Sequence, residues 1–346
     1  MLPAWSIVFG VAFGAAVGSF LNVLIYRLPR NLSIAFPPSH CPACEHRLGL
    51  LDLFPLLSYL LQGGRCRYCR AAIPIRYFLV ELWNASVWAW LWHQWLIVGE
   101  SPLRFVFYAL AASALIAIFF IDLQHYIIPD ELNVALLILG LLHAGLLAGM
   151  PTDWSWASLG VLNLRNATLG ALMGAGLFSL IAILGRIAFR KDAMGHGDIK
   201  LVRGMGALLL APGMLAAFAI SIATGAILGG LWTLWRARHV STAHPAEDEH
   251  ETGEPLPPEP IGSLLLSCAF YTLWVDALIT LLPRRLQQRV YASLGQPEEE
   301  LVDDSFVETP TMLPFGPFLA VGALTAMLFG GALSRWVQAY LDWTGF

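Results

Sequence analysis

Residues 105–121 read FVFYALAASALIAIFFI, and the next residue, Asp122, opens the stretch Asp122-Leu123-Gln124-His125-Tyr126-Ile127-Ile128-Pro129. Such a run is typical of a membrane-crossing helix, which needs about 20 predominantly apolar residues. Similar runs recur along the chain, in which 57% of the residues are hydrophobic and 13% are charged. Because the backbone must satisfy its own hydrogen bonds in lipid, we predict helices rather than strands. The sequence therefore predicts an all-α polytopic membrane protein.

The apolar runs predict about eight transmembrane helices. Their approximate bounds are Trp5–Ile25, Phe78–Val98, Phe105–Ile121, Leu132–Met150, Ala167–Phe189, Leu201–Leu210, Met214–Trp235 and Phe315–Val337. The first run lacks a small-residue cleavage site after a short apolar core, so we expect a retained signal anchor. The Leu201–Leu210 run is short and leads into Ala211-Pro212-Gly213, which leaves its far boundary open.

Arginine and lysine residues cluster between the first two spans, around Asp198 and after Trp235. The positive-inside rule places these three clusters in the cytoplasm. If the chain starts outside, the first crossing puts residues 27–77 inside. Two further crossings return the chain to the inside at Asp122, and two more return it there at Asp198. The sequence therefore predicts that both aspartates lie on one face of the membrane.

Residues 27–77, here called the zinc segment, contain two CxxC knuckles, Cys41-Pro42-Ala43-Cys44 and Cys66-Arg67-Tyr68-Cys69. Four thiolates at this spacing suit one tetrahedral Zn²⁺. A pair of disulfides is the alternative, which a cytosolic location disfavours. Four cysteines leave no open coordination position for a substrate, so we expect a structural metal. Cys268, the fifth cysteine, lies alone in an apolar stretch and is expected to pack in the core.

Two short stretches carry the candidate chemistry, Asp122–Pro129 (the Asp122 frame) and Gly195-His196-Gly197-Asp198 (the Asp198 frame). Carboxylates are costly at the edge of hydrocarbon, so a pair held there points to function. Two aspartates that share a proton can hydrolyse a peptide bond, because the ionised one activates water while the protonated one polarises the carbonyl. The glycines beside His196 remove bulk and permit positive φ, so an extended peptide can approach Asp198. Pro129 ends or bends the backbone after Asp122.

Other interpretations of these residues remain open from the sequence alone. Each aspartate suits the N-cap of the helix that follows it. Asp122 and Asp198 with His125 and His196 suit a hydrolytic metal, although the chain contains no His-Glu-x-x-His motif. A non-catalytic membrane scaffold or transporter with a zinc segment is a further alternative.

Residues 239–313, here called the insertion, differ in character. His244–Pro260 is acidic and proline-rich, which is typical of a flexible linker. Ile261–Leu282 is apolar apart from Asp276. We predict a helix that lies on the inner leaflet or docks against the bundle, because a crossing would carry the following arginines outside. At the membrane surface, Asp276 is expected to stay in water.

The chain resembles the bacterial type IV prepilin peptidases, bifunctional leader peptidases and N-methyltransferases of the GxGD aspartic protease type. The resemblance covers nearly the whole chain in order. Its matching pieces are Gly18–Val23 with Tyr26–Pro29, the four knuckle cysteines, Arg76-Tyr77 with Glu81, the Asp122 frame, the Asp198 frame with Lys200, and Pro314–Leu319.

The resemblance implies that Asp122 and Asp198 are catalytic and that Cys41, Cys44, Cys66 and Cys69 bind zinc. It further implies cleavage, after a glycine, of the short basic leader of prepilins or type II secretion pseudopilins, at the cytoplasmic face of the bacterial inner membrane. The new N-terminus would be methylated with S-adenosylmethionine. The sequence itself shows no methyl-donor site, and a peptidase without methylation stays an alternative. The expected partners are these substrates and the lipid bilayer, with no nucleic acid.

Five segments follow from this interpretation. They are a first transmembrane helix (1–26), the cytosolic zinc segment (27–77), a transmembrane bundle that carries both aspartates (78–238), the insertion (239–313), and a final transmembrane helix with the C-terminus (314–346).

Overall fold

The computed structural model describes residues 2–99, 101–155, 157–190, 194–240, 260–294 and 314–344. Within these ranges the chain forms helices, and its only bridges are two isolated antiparallel pairs, His40 with Arg47 and Arg65 with Ala72. The helices are α1 (Ile7–Arg27), α2 (Leu57–Leu61), α3 (Arg76–Trp92), α4 (Pro102–His125), α5 (Asp130–Leu146), α6 (Leu164–Phe189), α7 (His196–Val240), α8 (Ile261–Thr272), α9 (Val275–Thr280), α10 (Arg284–Leu294) and α11 (Gly316–Thr344). The predicted all-α class is confirmed.

Five stretches of the described chain are long and apolar enough to cross a membrane. They are Ala4–Arg27, Pro102–His125, Leu164–Phe189, His196–Leu231 and Gly316–Thr344. Helices α3 and α5 have 17 residues each, about 26 Å at 1.5 Å per residue, and α3 continues into a π-helical turn at His93–Val98. The chain is therefore a multi-pass membrane protein, and the number of eight spans stays a prediction.

The region predicted to hold two separate spans, Leu201–Leu210 and Met214–Trp235, lies in α7, which consists of two helical stretches joined at a kink. Its helical geometry is interrupted at Leu210, whose φ of 60° and ψ of 175° lie outside the helical region. Pro212 follows two residues later, and a proline inside a helix removes one backbone hydrogen bond and clashes with the preceding turn. The first stretch of α7 also begins five residues earlier than predicted, at His196, so that Asp198 lies in its first turn.

Glycines let the helices of the bundle approach closely. A Cβ on Gly14 of α1 would lie 2.6 Å from the Cβ of Trp88 on α3, and one on Gly18 would lie 2.7 Å from the Cα of Glu81. Helices α6 and α7, which pack along each other, meet at Gly170 and Gly206 in the same way. Small residues of this kind allow the close backbone contacts that stabilise helix pairs in membranes.

The zinc segment is fastened to the end of the bundle at which α4 finishes. Glu81 of α3 is buried and accepts a 2.7 Å hydrogen bond from the backbone N–H of Leu56. Arg76, the first residue of α3, donates a hydrogen bond to the side chain of Gln124 near the end of α4. Since Gln124 follows Asp122 by two residues, the zinc segment and the Asp122 frame lie at the same end of the bundle.

The apolar stretch Ile261–Leu282 of the insertion is a pair of short helices rather than one. Trp274, in the left-handed conformation with φ of 63°, separates α8 from α9. Helix α8 has 12 residues, about 18 Å, which is too short to cross a hydrocarbon core of about 30 Å. It packs against α6 and α7, while α9 packs against α5. The position of this pair at the cytoplasmic surface stays a prediction.

The expectation that Asp276 stays in water is wrong. Its exposed fraction is 2%, and its carboxylate pairs with the guanidinium of Arg203, which is completely buried. This cationic partner offsets the cost of removing the carboxylate from water. Most of the predicted linker His244–Pro260 lies outside the described residues.

Candidate active site

Asp122 lies in the last turn of α4 and is buried, with an exposed fraction of 5%. The helix ends at His125 because Tyr126 adopts the left-handed conformation, and the N–H of Tyr126 donates to the carbonyl of Asp122 over 3.0 Å. From Ile127 to Pro129 the Asp122 frame has no regular secondary structure, and α5 begins at Asp130. The capping interpretation requires Asp122 to lie at the N-cap of the next helix. That position is occupied by Pro129, so Asp122 does not cap α5.

Asp198 lies in the first turn of α7 and is half-buried. Its carboxylate accepts a hydrogen bond from the backbone N–H of Gly195. Acidic side chains are common in the first turn of a helix, so Asp198 occupies a position that suits an aspartate. The capping interpretation is thus compatible with Asp198 but accounts for only one member of the pair.

The two carboxylates are near enough for the charge of Asp198 to act on Asp122. Gly316, the first residue of α11, donates its backbone N–H to the Asp122 carboxylate, and a Cβ at this glycine would lie 2.9 Å from the Asp122 Cγ. The side chain of Ile128 lies against the same glycine and against Gly197, whose Cβ would be 3.1 Å from the Ile128 Cβ. The Asp122 frame, the Asp198 frame and the start of α11 therefore converge in one site.

Polar side chains surround the site at which the two aspartate frames and the start of α11 meet. The Nδ1 atom of His196 and the hydroxyl of Tyr271 on α8 are 2.8 Å apart. The ammonium of Lys200, one helical turn after His196, contacts both carboxylate oxygens of Asp130 at 2.6 and 2.7 Å. Asp130 follows Pro129 directly, so this ion pair ties the end of the Asp122 frame to α7. The pair is buried on both sides.

The four knuckle cysteines come together as predicted. Their sulfur atoms all lie within 4.8 Å of one another, and the Sγ atoms of Cys41 and Cys69 are 3.8 Å apart. Two sulfurs bound to a tetrahedral Zn²⁺ at about 2.3 Å are separated by about this distance. None of the four is in a disulfide. The donor set and its spacing therefore fit a structural zinc ion.

Both knuckles have the same backbone hydrogen bond, from the first cysteine to the carbonyl five residues later. The N–H of Cys41 donates to the carbonyl of His46 over 3.0 Å, and the N–H of Cys66 donates to the carbonyl of Ala71 over 2.8 Å. In the second knuckle, the backbone N–H groups of Cys69 and Tyr68 lower the pKa of the Cys66 thiol to about 7. This shift favours the thiolate, which is the form that binds metal.

Among the described residues, the four cysteines form the one group of three or more histidine, cysteine, aspartate and glutamate side chains spaced to share a metal ion. In the part of the chain that the structure covers, Asp122, Asp198, His125 and His196 do not form a second such group.

Sequence reasoning did not identify several residues of this site. Gly316 was within the Pro314–Leu319 stretch that carried the family resemblance, but that stretch gave no indication of contact with Asp122. Tyr271 lies in the insertion, outside every matching stretch. The opposite charges of Asp130 and Lys200, each beside a candidate frame, were the one available signal for their pairing. No side chain in the described ranges was identified as a methyl-donor site.

Comparison with known proteins gives two family models that match in tandem. Residues 12–95 match the bacterial peptidase A24 N-terminal domain, and residues 109–230 match the type IV leader peptidase family. A protein of Myxococcus xanthus named prepilin leader peptidase/N-methyltransferase is 32% identical over 336 residues, which cover 96% of this chain and 92% of that protein. A Pseudomonas aeruginosa protein of the same name is 27% identical, with 97% and 93% of the two chains covered. An Escherichia coli protein named type 4 prepilin-like proteins leader peptide-processing enzyme is 35% identical over 59% of this chain and 77% of that protein. No solved structure matches the chain.

Proposed function

The chain belongs to the type IV leader peptidase family, and from this premise we propose that Asp122 and Asp198 together hydrolyse the leader peptide bond of a prepilin or pseudopilin. Leader-peptide cleavage and N-methylation are the activities that the chain carries as a member of this family. It works as a multi-pass protein of the inner membrane. The proposal concerns which residues perform the cleavage and on which face.

The observation that carries the proposal is the convergence of two carboxylates whose surroundings differ. Asp122 is buried beside the Gly316 N–H, whereas Asp198 is half-buried at a helix N-terminus. Two interacting carboxylates in unlike environments are suited to opposite protonation states. The ionised carboxylate takes a proton from water, and the resulting hydroxide attacks the carbonyl carbon. The protonated carboxyl donates a hydrogen bond to the carbonyl oxygen.

The same two groups complete the reaction. The tetrahedral intermediate collapses when the leaving nitrogen receives a proton from the carboxyl that took one from water, and the C–N bond breaks. The backbone N–H groups of Gly316 and Gly195 each hold one carboxylate in a fixed orientation. Preorganised donors of this kind lower the barrier because nothing has to reorient during the reaction. Gly197 packs closely against Ile128, where a Cβ would lie 3.1 Å from the Ile128 Cβ, and this contact keeps the two aspartate frames together.

We place the site at the cytoplasmic face. The arginine-rich zinc segment supports this, because the contact of Arg76 with Gln124 joins that segment to the end of α4 that carries Asp122. The positive-inside rule assigns such a segment to the cytoplasm. The same rule keeps the basic leader of the substrate on the cytoplasmic side.

The zinc segment supplies the second part of the proposal. Cys41, Cys44, Cys66 and Cys69 would hold a Zn²⁺ that contributes folding energy to the segment. The methyl group transferred to the new N-terminal amine would come from S-adenosylmethionine, a donor suggested by the N-methyltransferase name of the relatives.

The test is an assay of purified enzyme in liposomes with a prepilin and S-adenosylmethionine, followed by mass analysis of the pilin N-terminus. The wild type should yield a shortened, methylated product. Asp122→Asn and Asp198→Asn should each abolish cleavage, and each should still methylate a pilin supplied without its leader. The matched control Asp342→Asn, at an exposed position of α11, should cleave normally.

Two results would reject the dyad. One is cleavage by either asparagine variant at more than a small fraction of the wild-type rate. The other is a loss of about 1 kcal/mol of stability with the chemistry preserved, which is the effect of removing a helix cap.

A further inference from the structure

Three side chains on one face of α7 make contact with a single residue of the insertion. His196, Lys200 and Arg203 follow the spacing i, i+4 and i+7, which places them on the same side of a helix. The His196 Nδ1 lies 2.8 Å from the Tyr271 hydroxyl, and the Lys200 Nζ lies 5.1 Å from the Tyr271 ring centroid. Arg203 donates from Nη1 to the Tyr271 carbonyl over 2.9 Å. The tip, the face and the backbone of Tyr271 are thus all engaged by α7.

The helix pair of the insertion is fastened to α7 by a second contact. Arg203 pairs with Asp276 of α9 through Nη1 at 2.6 Å and Nη2 at 2.8 Å. Both side chains are almost completely buried. A two-pronged guanidinium–carboxylate contact fixes orientation as well as distance. Trp274 separates the two helices. Arg203 contacts the Tyr271 carbonyl on α8 and the Asp276 carboxylate on α9, so this one side chain binds both helices.

The same cluster reaches the other aspartate frame. Lys200 contacts the Tyr271 ring and also pairs with Asp130, the residue after Pro129. Tyr271 therefore contacts His196 of the Asp198 frame, and it is connected through Lys200 to Asp130, the residue that follows the Asp122 frame.

We infer that α8 and α9 form a clasp over the start of α7, in which Tyr271 is a positioning residue for leader cleavage and acts through His196. The inference rests on the proposed function of Asp198. Glycines flank His196 on both sides, and glycine leaves a backbone loosely constrained. The hydrogen bond between the Tyr271 hydroxyl and the His196 ring restricts this turn and thereby the direction in which the Asp198 carboxylate points.

The test compares Tyr271→Phe with the wild type for two reactions, cleavage of a prepilin and methylation of a pilin supplied without its leader. The phenylalanine keeps the ring and the backbone contacts and removes only the hydroxyl. We expect kcat for cleavage to fall about three- to tenfold, which corresponds to the loss of one hydrogen bond. KM should change by less than about twofold, because substrate binding is not the step affected. Methylation and the thermal unfolding midpoint should not change.

Thr272→Val is the matched control. It removes a hydroxyl from the adjacent position of α8, where the Thr272 Oγ1 donates to the Cys268 carbonyl of its own helix. We expect wild-type cleavage from this variant. Asp198→Asn, assayed in parallel, reports on the proposed function independently, because continued cleavage by it would reject the dyad whatever Tyr271→Phe does.

Wild-type cleavage by Tyr271→Phe, with Asp198→Asn inactive, would overturn the clasp and leave the dyad standing. A parallel fall in cleavage, methylation and unfolding midpoint would also overturn it, since that pattern indicates a general packing role. If Tyr271→Phe does not fold, His196→Phe removes the same hydrogen bond from the other side, and the same criteria apply to it.

Discussion

The backbone N–H of Gly316 donates a hydrogen bond to the carboxylate of Asp122, although the two residues are separated by most of the chain. A Cβ added to Gly316 would lie 2.9 Å from the Asp122 Cγ and 3.0 Å from the Ile128 Cδ1. Both separations are tighter than carbon atoms ordinarily tolerate. The start of α11 therefore forms a wall of the candidate active site, and that wall leaves no room for a side chain at position 316.

Replacing Gly316 with alanine is expected to damage cleavage selectively. The added methyl group must displace either Asp122 or the start of α11, and overpacking of this kind costs about 1–3 kcal/mol. We expect prepilin cleavage to fall at least about tenfold, while methylation of a pilin without its leader persists. The control Gly225→Ala places a methyl group 3.6 Å from Phe318, an ordinary contact, and should cleave normally. Equal rates for the two alanine variants would show that Gly316 does not shape the site.

Replacing any one of Cys41, Cys44, Cys66 or Cys69 with serine should release about one Zn²⁺ per chain. The zinc segment should then become sensitive to limited proteolysis, because the metal supplies its folding energy. We expect cleavage to fall indirectly and methylation to fall further. Elemental analysis of protein purified without chelator measures the metal.

The fifth cysteine provides the comparison for this experiment. Cys268 is buried on α8, outside the group of four, so Cys268→Ser should retain zinc. A wild-type protein that contains no zinc would defeat the prediction, as would a knuckle variant that retains its full zinc content.

The contact between α6 and α7 predicts a difference between two glycine substitutions. A Cβ on Gly206 would lie 2.5 Å from the carbonyl carbon of Gly170, whereas a Cβ on Gly176 would meet nothing within 4 Å. Gly206→Ala should therefore lower the free energy of unfolding by about 1–3 kcal/mol. Gly176→Ala should leave it unchanged or raise it, because alanine is the better helix former. Thermal unfolding of both variants in detergent tests this, and a stable Gly206→Ala protein would contradict the observed approach of the helices.

The residues found from the sequence are those whose spacing along the chain is itself the signal. Two CxxC knuckles indicate a metal site wherever the chain folds, and a Gly-x-Gly-Asp stretch after an apolar run identifies Asp198. The proline near the middle of α7 likewise indicated the break between its two helical stretches. Patterns of this kind consist of residues that are close together in the sequence, so they can be recognised before the fold is known.

The remaining parts of the site depend on contacts between distant residues. A single aspartate in an apolar stretch indicates that Asp276 needs either water or a cationic partner. The sequence offered no way to choose Arg203, which lies 73 positions away. The same limit applies to the contacts of Tyr271 with His196 and of Gly316 with Asp122. These pairings follow from how α7, α8 and α11 pack, which hydrophobic periodicity does not specify.

The last prediction concerns the topology of the insertion, which should remain on the cytoplasmic side. Arg284, at the start of α10, donates to the carbonyl of Asn31 in the zinc segment over 3.0 Å. Its other guanidinium nitrogen lies 3.6 Å from Glu131 at the start of α5. The chain therefore leaves α9 at the end of the bundle that also carries the zinc segment. Two helices as short as α8 and α9 provide no crossing that would reach the other face.

Single cysteines at Arg285 and Gln288, in a background without Cys268, should resist a membrane-impermeant thiol reagent added to intact cells. Both positions are exposed on α10, so burial in the protein would not explain protection. A cysteine at Met150, exposed just beyond the opposite end of α5, is the positive control and should react. The same cysteines at Arg285 and Gln288 should react after the cells are opened, which shows that they are accessible to the reagent. Labelling of either position in intact cells, with the zinc segment still protected, would mean that the insertion crosses the membrane and that the predicted span count is wrong.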